Sequence, residues 1–212
     1  MPFVRNLFRY DETEHKGYYV GQLVPSITQL LEMIYPLADN IPTKNLKSAA
    51  ERGTTLHEKI EEINKCDCVP NEYLLDSDCL NYLAFTKTLN LAIHKCEELV
   101  FLLDENKELI AYGHFDFVFK CLDDNLFGNA NELVLGDLKT TSEIYKSKVK
   151  LQTELYKVAY MQTFIETLSN RTFVLHLRNG EIKFIPFHTT PNLQETINVA
   201  KELRNMWNEC QH

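Results

Sequence analysis

Hydrophobic positions recur along this chain with two periods, and the changes of period divide it into elements. From Thr43, the residues Leu46, Ala49, Gly53, Leu56, Ile60 and Ile63 fall at spacings of three and four, which predicts a long helix with one apolar stripe. Gly53 within that helix costs about 1 kcal/mol of propensity relative to alanine, so it predicts close backbone packing. Ser26 precedes Ile27, Leu30, Leu31 and Ile34, the pattern of an N-cap and a short helix that ends before Pro36. Residues 77 to 95 read as another helix carrying Leu80, Leu83, Leu91 and Ile93. A helix from about 147 to 168 carries Leu151, Leu155, Val158, Met161, Ile165 and Leu168. Pro191 to Cys210 closes the chain as an amphipathic helix with Leu193, Ile197, Leu203 and Trp207 on its buried side.

Period 2 takes over elsewhere. Residues 3 to 24, around a polar break at 11 to 17, read as a hairpin or two short edge strands. Glu98 to Leu103 reads as a strand that turns at 104 to 107 into a second one, GHFDFVFK from Gly113. In that second strand His114, Asp116 and Val118 are expected on one face and Phe115, Phe117 and Phe119 on the other. A polar loop at 123 to 131 leads to LVLGDLK, where Leu133, Leu135, Asp137 and Lys139 share a face. Residues 171 to 178 and 181 to 187 flank Asn179-Gly180, a strong hairpin signal.

Two carboxylates thus stand on neighbouring strands, with a lysine two residues after the second. Taken alone, Asp-x-Lys is better read as a surface salt bridge. Together, Asp116 and Asp137 could hold a hard cation that prefers oxygen ligands, with the Lys139 ammonium offsetting charge on a phosphorus centre. His57 lies beside the apolar stripe of the long helix, and these downstream acids make it a metal-ligand candidate. Glu58, Glu61 and Glu62 read as a solvated face. Gln152, Tyr156 and Tyr160 follow at i, i+4 and i+8, forming a polar-aromatic line on one helix.

The ordered set Asp116, Asp137-Leu138-Lys139 and Gln152-x-x-x-Tyr156, preceded by Gly53 and His57, resembles the PD-(D/E)XK nuclease superfamily and within it the RecB-like branch. Leu23 to Thr28 is similar to the opening segment of many phage-encoded members. The resemblance implies an α/β fold with a restriction-endonuclease-like core, a mixed central sheet flanked by helices. It also implies a Mg²⁺- or Mn²⁺-dependent deoxyribonuclease, an exonuclease rather than an endonuclease, serving recombination, repair or phage replication. Asp116, Asp137, Lys139, Gln152 and Tyr156 would be catalytic, and His57, Asp116, Asp137 and the carbonyl of Leu138 would hold the metal. Relatives often carry a glutamate near position 98, which gives Glu98 a supporting role. The similar CRISPR-adaptation nucleases hold an iron–sulfur cluster on one N-terminal and three C-terminal cysteines. With Cys210 as its single late cysteine, this chain is expected to have no cluster.

Composition bounds the rest. The chain has 212 residues, 44% hydrophobic and 25% charged, with 7 Gly and 7 Pro. That length predicts one domain, 1–212, with an N-terminal extension over about residues 1–42, able to bury roughly 70% of its unfolded surface. Charges near the start and the lack of an apolar run predict a cytoplasmic protein with no membrane partner. Cys66, Cys68, Cys79, Cys96, Cys121 and Cys210 have no paired spacing and read as reduced thiols. The net charge of −8 disfavours nonspecific DNA affinity, which rests on Lys and Arg. Lys139, Lys146, Lys148, Lys150 and Lys157 cluster near the motifs, however, and predict a basic cleft in an acidic body, the last four as DNA contacts. The partners implied are DNA and a single-strand annealing or replication protein, with a homo-oligomer as a further arrangement. The alternative is a catalytically silent nucleic-acid-binding or partner-binding protein of the same fold.

Overall fold

A computed structural model describes residues 2–36, 43–66, 69–189 and 192–211; Cys68 and Pro191 lie outside these, as do the side chains of Leu46 and Ala49. In chain order the elements are α1 (Pro2–Leu7), β1 (Phe8–Asp11), β2 (Lys16–Tyr19), β3 (Gln22–Val24), α2 (Ile27–Glu32), α3 (Thr43–Lys65), α4 (Ser77–Thr88), β4 (Leu91–Leu103), β5 (Leu109–Cys121), β6 (Leu133–Lys139), α5 (Lys146–Phe164), β7 (Arg171–Arg178), β8 (Glu181–His188) and α6 (Leu193–Cys210). The fold is α/β. Its central sheet has the order β4-β5-β6-β7-β8, antiparallel throughout except for the parallel pair β6 and β7. Parallel neighbours need a crossover of a dozen or more residues, and α5 supplies it.

Helices cover both faces. On one, Ile27 and Leu30 of α2, Leu155 and Val158 of α5 and Leu203 of α6 pack with Val100, Val118 and Leu135. On the other, Leu56 and Ile60 of α3 and Tyr82 and Phe85 of α4 pack with Phe117, Phe119 and Phe173. Gly136 makes the second layer possible, because a Cβ there would sit 2.2 Å from the ring of Phe117. The expected apolar stripe of α3 is buried at Leu56, Ile60 and Ile63. Ser26 caps α2 in a full capping box: its hydroxyl accepts from the Gln29 N–H at 3.1 Å, and Gln29 Oε1 accepts from the Ser26 N–H at 2.8 Å. The hairpin between β7 and β8 turns through left-handed Asn179 (φ 53°) and Gly180 (φ 75°).

Several expectations are corrected. The N-terminal segment is not a simple hairpin or pair of edge strands: α1 leads into a three-stranded sheet, β1-β2-β3, which packs through Phe8 and Tyr10 on Phe101 and Tyr112. The helix expected over 77 to 95 ends at Thr88. Asn90 turns left-handed (φ 48°), and Leu91 and Ile93 pair with Cys121 and Phe119 as the start of β4. Long-range strand pairing overrides a helical spacing there, and α4 buries Cys79, Tyr82 and Phe85 while Leu80 stays exposed. Helix α5 stops at Phe164, where left-handed Ile165 (φ 60°) projects into solvent and the chain returns Leu168 to the core. Leu193 at the first turn of α6 is exposed as well; Ile197, Leu203 and Trp207 are buried. The 123 to 131 loop is not wholly polar, since Phe127 is buried and stacks on Phe173 at 4.4 Å.

Lys157, expected to contact DNA, is instead buried in the protein. Its ammonium donates to the carbonyls of Ser169 (2.6 Å) and Thr189 (3.0 Å) and to Asn170 Oδ1 (3.3 Å), tying α5 to both ends of the β7–β8 hairpin. Truncating it strands buried acceptors. Lys157→Ala should therefore lower unfolding free energy in urea by about 2–4 kcal/mol, and Lys150→Ala, on the exposed side of the same helix, by less than about 0.5 kcal/mol.

Candidate metal and catalytic site

The site forms where α3 crosses the middle of β4 and β5. Glu97 stands opposite Asp116, between the paired residues Cys96–Phe117 and Glu98–Phe115. Its backbone is left-handed, with φ 50°, a conformation that costs a non-glycine residue about 1–2 kcal/mol. The same turn in the strand pair corrects the expected facing of the phenylalanines. Phe115 packs on Tyr160 and Phe164 of α5, while Phe117 packs on Tyr82 of α4. Asp116 sits at the exchange of faces. Opposite residues in an antiparallel pair bring their side chains close, so Glu97 and Asp116 converge and His57 meets both from α3.

His57 Nδ1 lies 3.5 Å from Asp116 Oδ1 and 3.7 Å from Glu97 Oε1. One ligand atom from each of the three falls within 4.8 Å of the others, a grouping able to hold a metal ion. Asp137 is buried beside this trio, and its Oδ2 is 2.6 Å from Lys139 Nζ. That contact is ionic in geometry, because Oδ2 has no aligned hydrogen-bond donor. The backbone N–H of Leu138 donates to Asp116 Oδ2, which links the two acid strands directly. Gly53 brings α3 down onto the end of β6, where a Cβ would lie 3.0 Å from Thr140 Oγ1; this is the close packing its place in the helix predicted.

Electrostatics follow from the burial. Desolvation raises the pKa of both Asp116 and Asp137, against the opposing pull of the neighbouring cations. Burial alone would lower the pKa of His57, but the Asp116 and Glu97 carboxylates outweigh it and hold the imidazolium to about 9. Lys139 behaves in the same way: burial disfavours its charge, and Asp137 and Asp116 more than restore it. It is therefore an ammonium at neutral pH, a donor and a fixed charge rather than a base. Burial pushes the Tyr156 phenol well above its ordinary range, so it too is a donor, held by the side chain of Thr28.

Of the residues expected from sequence, His57, Asp116, Asp137 and Lys139 are brought together. Gln152 is buried one turn before Tyr156 on α5, on the same helical face. Tyr160 departs from that line, its hydroxyl donating to Glu166, which also binds His94. Glu98 is corrected to Glu97. Successive strand residues face opposite ways, and only the pairing register with β5 decides which glutamate meets Asp116. The adjacent pair Glu97-Glu98 was the available signal.

The expected basic cleft is corrected too. A cleft of about 410 Å³ over the trio is lined by Gly53, Thr54, His57, Glu58, Glu61 and Glu97, so Glu58 and Glu61 rim the site rather than forming only a solvated face. Lys146 and Lys150 are exposed at the start of α5, and Lys148 donates to the Tyr35 carbonyl at 3.4 Å.

No family model matches this sequence, and no curated protein does either. A solved structure, the crystal structure of SSO0001, superposes with a TM-score of 0.38 at 12% identity, over 83% of this chain and 81% of that one, a likeness too slight to carry an argument. Among the described residues no helix is long and apolar enough to cross a membrane.

The His57 pKa fixes the sign of a pH dependence. A raised pKa contributes stability that is whole below about 6.5 and is lost as pH rises through about 9. In EDTA, urea unfolding should show stability falling by roughly 3 kcal/mol across that window, and His57→Gln should flatten the fall.

Proposed function

We propose that this chain is a divalent-metal-dependent deoxyribonuclease of the PD-(D/E)XK type, RecB-like branch, acting as an exonuclease. The observation that carries the reading is the convergence of His57, Glu97 and Asp116 beside the buried Asp137–Lys139 pair. The donor set fits a hard cation: carboxylate oxygens and one imidazole nitrogen within 4.8 Å of one another. When bound, the cation supplies Lewis-acid polarisation of a phosphodiester and lowers the pKa of water.

His57, Glu97, Asp116 and Asp137 would hold it, with the Leu138 carbonyl as a further ligand. As a ligand His57 would be the neutral imidazole. The Lys139 ammonium, 2.6 Å from Asp137 Oδ2, would stabilise the charge that develops on the reacting phosphate. The Tyr156 hydroxyl and the Gln152 amide orient the phosphate or the attacking water by donating hydrogen bonds. The acidic rim at Glu58 and Glu61 repels a bare phosphate at the trio, so seating the scissile phosphate there, and with it activity, would depend on the cation.

The test is degradation of end-labelled linear DNA and of closed circular DNA in Mg²⁺, Mn²⁺ or EDTA. Metal-dependent loss of the linear DNA alone is expected. Asp116→Ala and Lys139→Ala should each lower the rate by about 10²-fold or more, and Glu97→Gln should raise the metal concentration needed for half-maximal rate while Glu98→Gln leaves it unchanged. Activity in EDTA, or activity indifferent to Asp116→Ala and Lys139→Ala, would overturn the reading.

A further inference from the structure

A second cavity, of about 350 Å³, opens between the small N-terminal sheet, the start of α2 and β5, with Tyr156 of α5 in its wall. Tyr10, His15, Gln29, Tyr112, His114 and Tyr156 are among its lining residues. It differs chemically from the cleft over the trio. That cleft carries three glutamates, whereas the residues around this cavity include aromatic rings, hydroxyls, an amide and two imidazoles, and no carboxylate. Tyr10 meets the Tyr112 ring edge-on at 5.8 Å and the His114 ring at 5.4 Å, and its hydroxyl is 3.2 Å from His15 Nδ1. Tyr10 and His114 are partly exposed and His15 is exposed, so planar surface is accessible from solvent.

The cavity is continuous with the candidate catalytic residues. His114 precedes Asp116 by two residues on β5, roughly 7 Å along the strand. Tyr156 belongs to the wall, and its hydroxyl feels the charges of Asp116, Asp137 and Glu97. Gly113 allows this, because a Cβ there would lie 2.6 Å from the Tyr156 ring. A strand end whose phosphate lies at the trio thus has an acid-free aromatic recess beside it, large enough for a planar heterocycle.

We infer that this cavity is a nucleobase subsite, in which Tyr10, with His114 and His15, stacks the base adjoining the scissile phosphate of single-stranded DNA. The inference rests on the nuclease reading for its substrate. Base–aromatic contacts tolerate any sequence because every base offers a π face, which suits an enzyme that degrades strands without regard to sequence. They also supply affinity that the acidic cleft does not.

The test separates binding from hydrolysis. Fluorescein-labelled dT12 is titrated with the full chain in EDTA at low salt and followed by anisotropy, using wild type, Tyr10→Ala and Tyr10→Phe. Tyr10→Ala should weaken binding about tenfold or more and Tyr10→Phe should leave it unchanged. An abasic nucleotide moved along the oligonucleotide should reproduce the loss at one position in wild type and add nothing in Tyr10→Ala. Absence of binding by wild type, wild-type affinity in Tyr10→Ala, or an abasic effect that persists in that variant would overturn the subsite. Tyr10-dependent binding without metal-dependent cleavage would overturn the hydrolytic reading alone, and cleavage with Tyr10-independent binding would overturn the subsite alone.

Discussion

Holding two desolvated aspartates at the centre of a sheet is the constraint on which this structure turns. Asp137, buried, and Asp116, partly buried, sit on adjacent strands under helices, where desolvation opposes their charge. Without compensation they would take up protons or open the core. The protein answers with Lys139 against Asp137, His57 against Asp116, and the Leu138 N–H on Asp116. Each compensating group comes from an element fixed by ordinary hydrophobic packing, so the core layers and the charged cluster hold each other in place.

The strain at Glu97 belongs to the same economy. A left-handed non-glycine residue inside a long strand persists only where its surroundings over-determine it. Here Phe115 and Phe117 are locked into opposite helical layers on either side of Asp116, and the local twist that separates them turns Glu97 toward His57. The parallel β6–α5–β7 unit has a complementary effect. It ends β6 at Lys139 and begins α5 at Lys146, which puts Gln152 and Tyr156 on the second and third turns of the covering helix.

Charge is arranged by direction around this centre. Glutamates crowd the side of α3, and rings and hydroxyls line the side of the N-terminal sheet. The net charge of −8 is thus expressed at the cleft over the trio itself, which is acidic rather than basic. Lys157, which by sequence position looked like part of a basic surface, holds strand ends together inside the protein.

Local sequence determined what depends on neighbours along the chain. The alternation leading to Asp137, the stripe of α3, the Ser26 cap and the Asn179-Gly180 turn are set by periods and backbone preferences over a few residues, and all were legible, whereas the exchange of faces at Asp116 was not. The company of His57, Asp116, Asp137 and Lys139 was legible too, because their strand and helix registers are local. What only the tertiary structure decided were matters of pairing across the fold. Whether Leu91 and Ile93 continue a helix or begin a strand, whether Glu97 or Glu98 meets Asp116, and whether Lys157 faces solvent or three buried oxygens depend on partners contributed by distant segments. A side chain's own sequence carries its chemistry, but the register of a sheet and the depth of a helix in its groove decide which way that chemistry points.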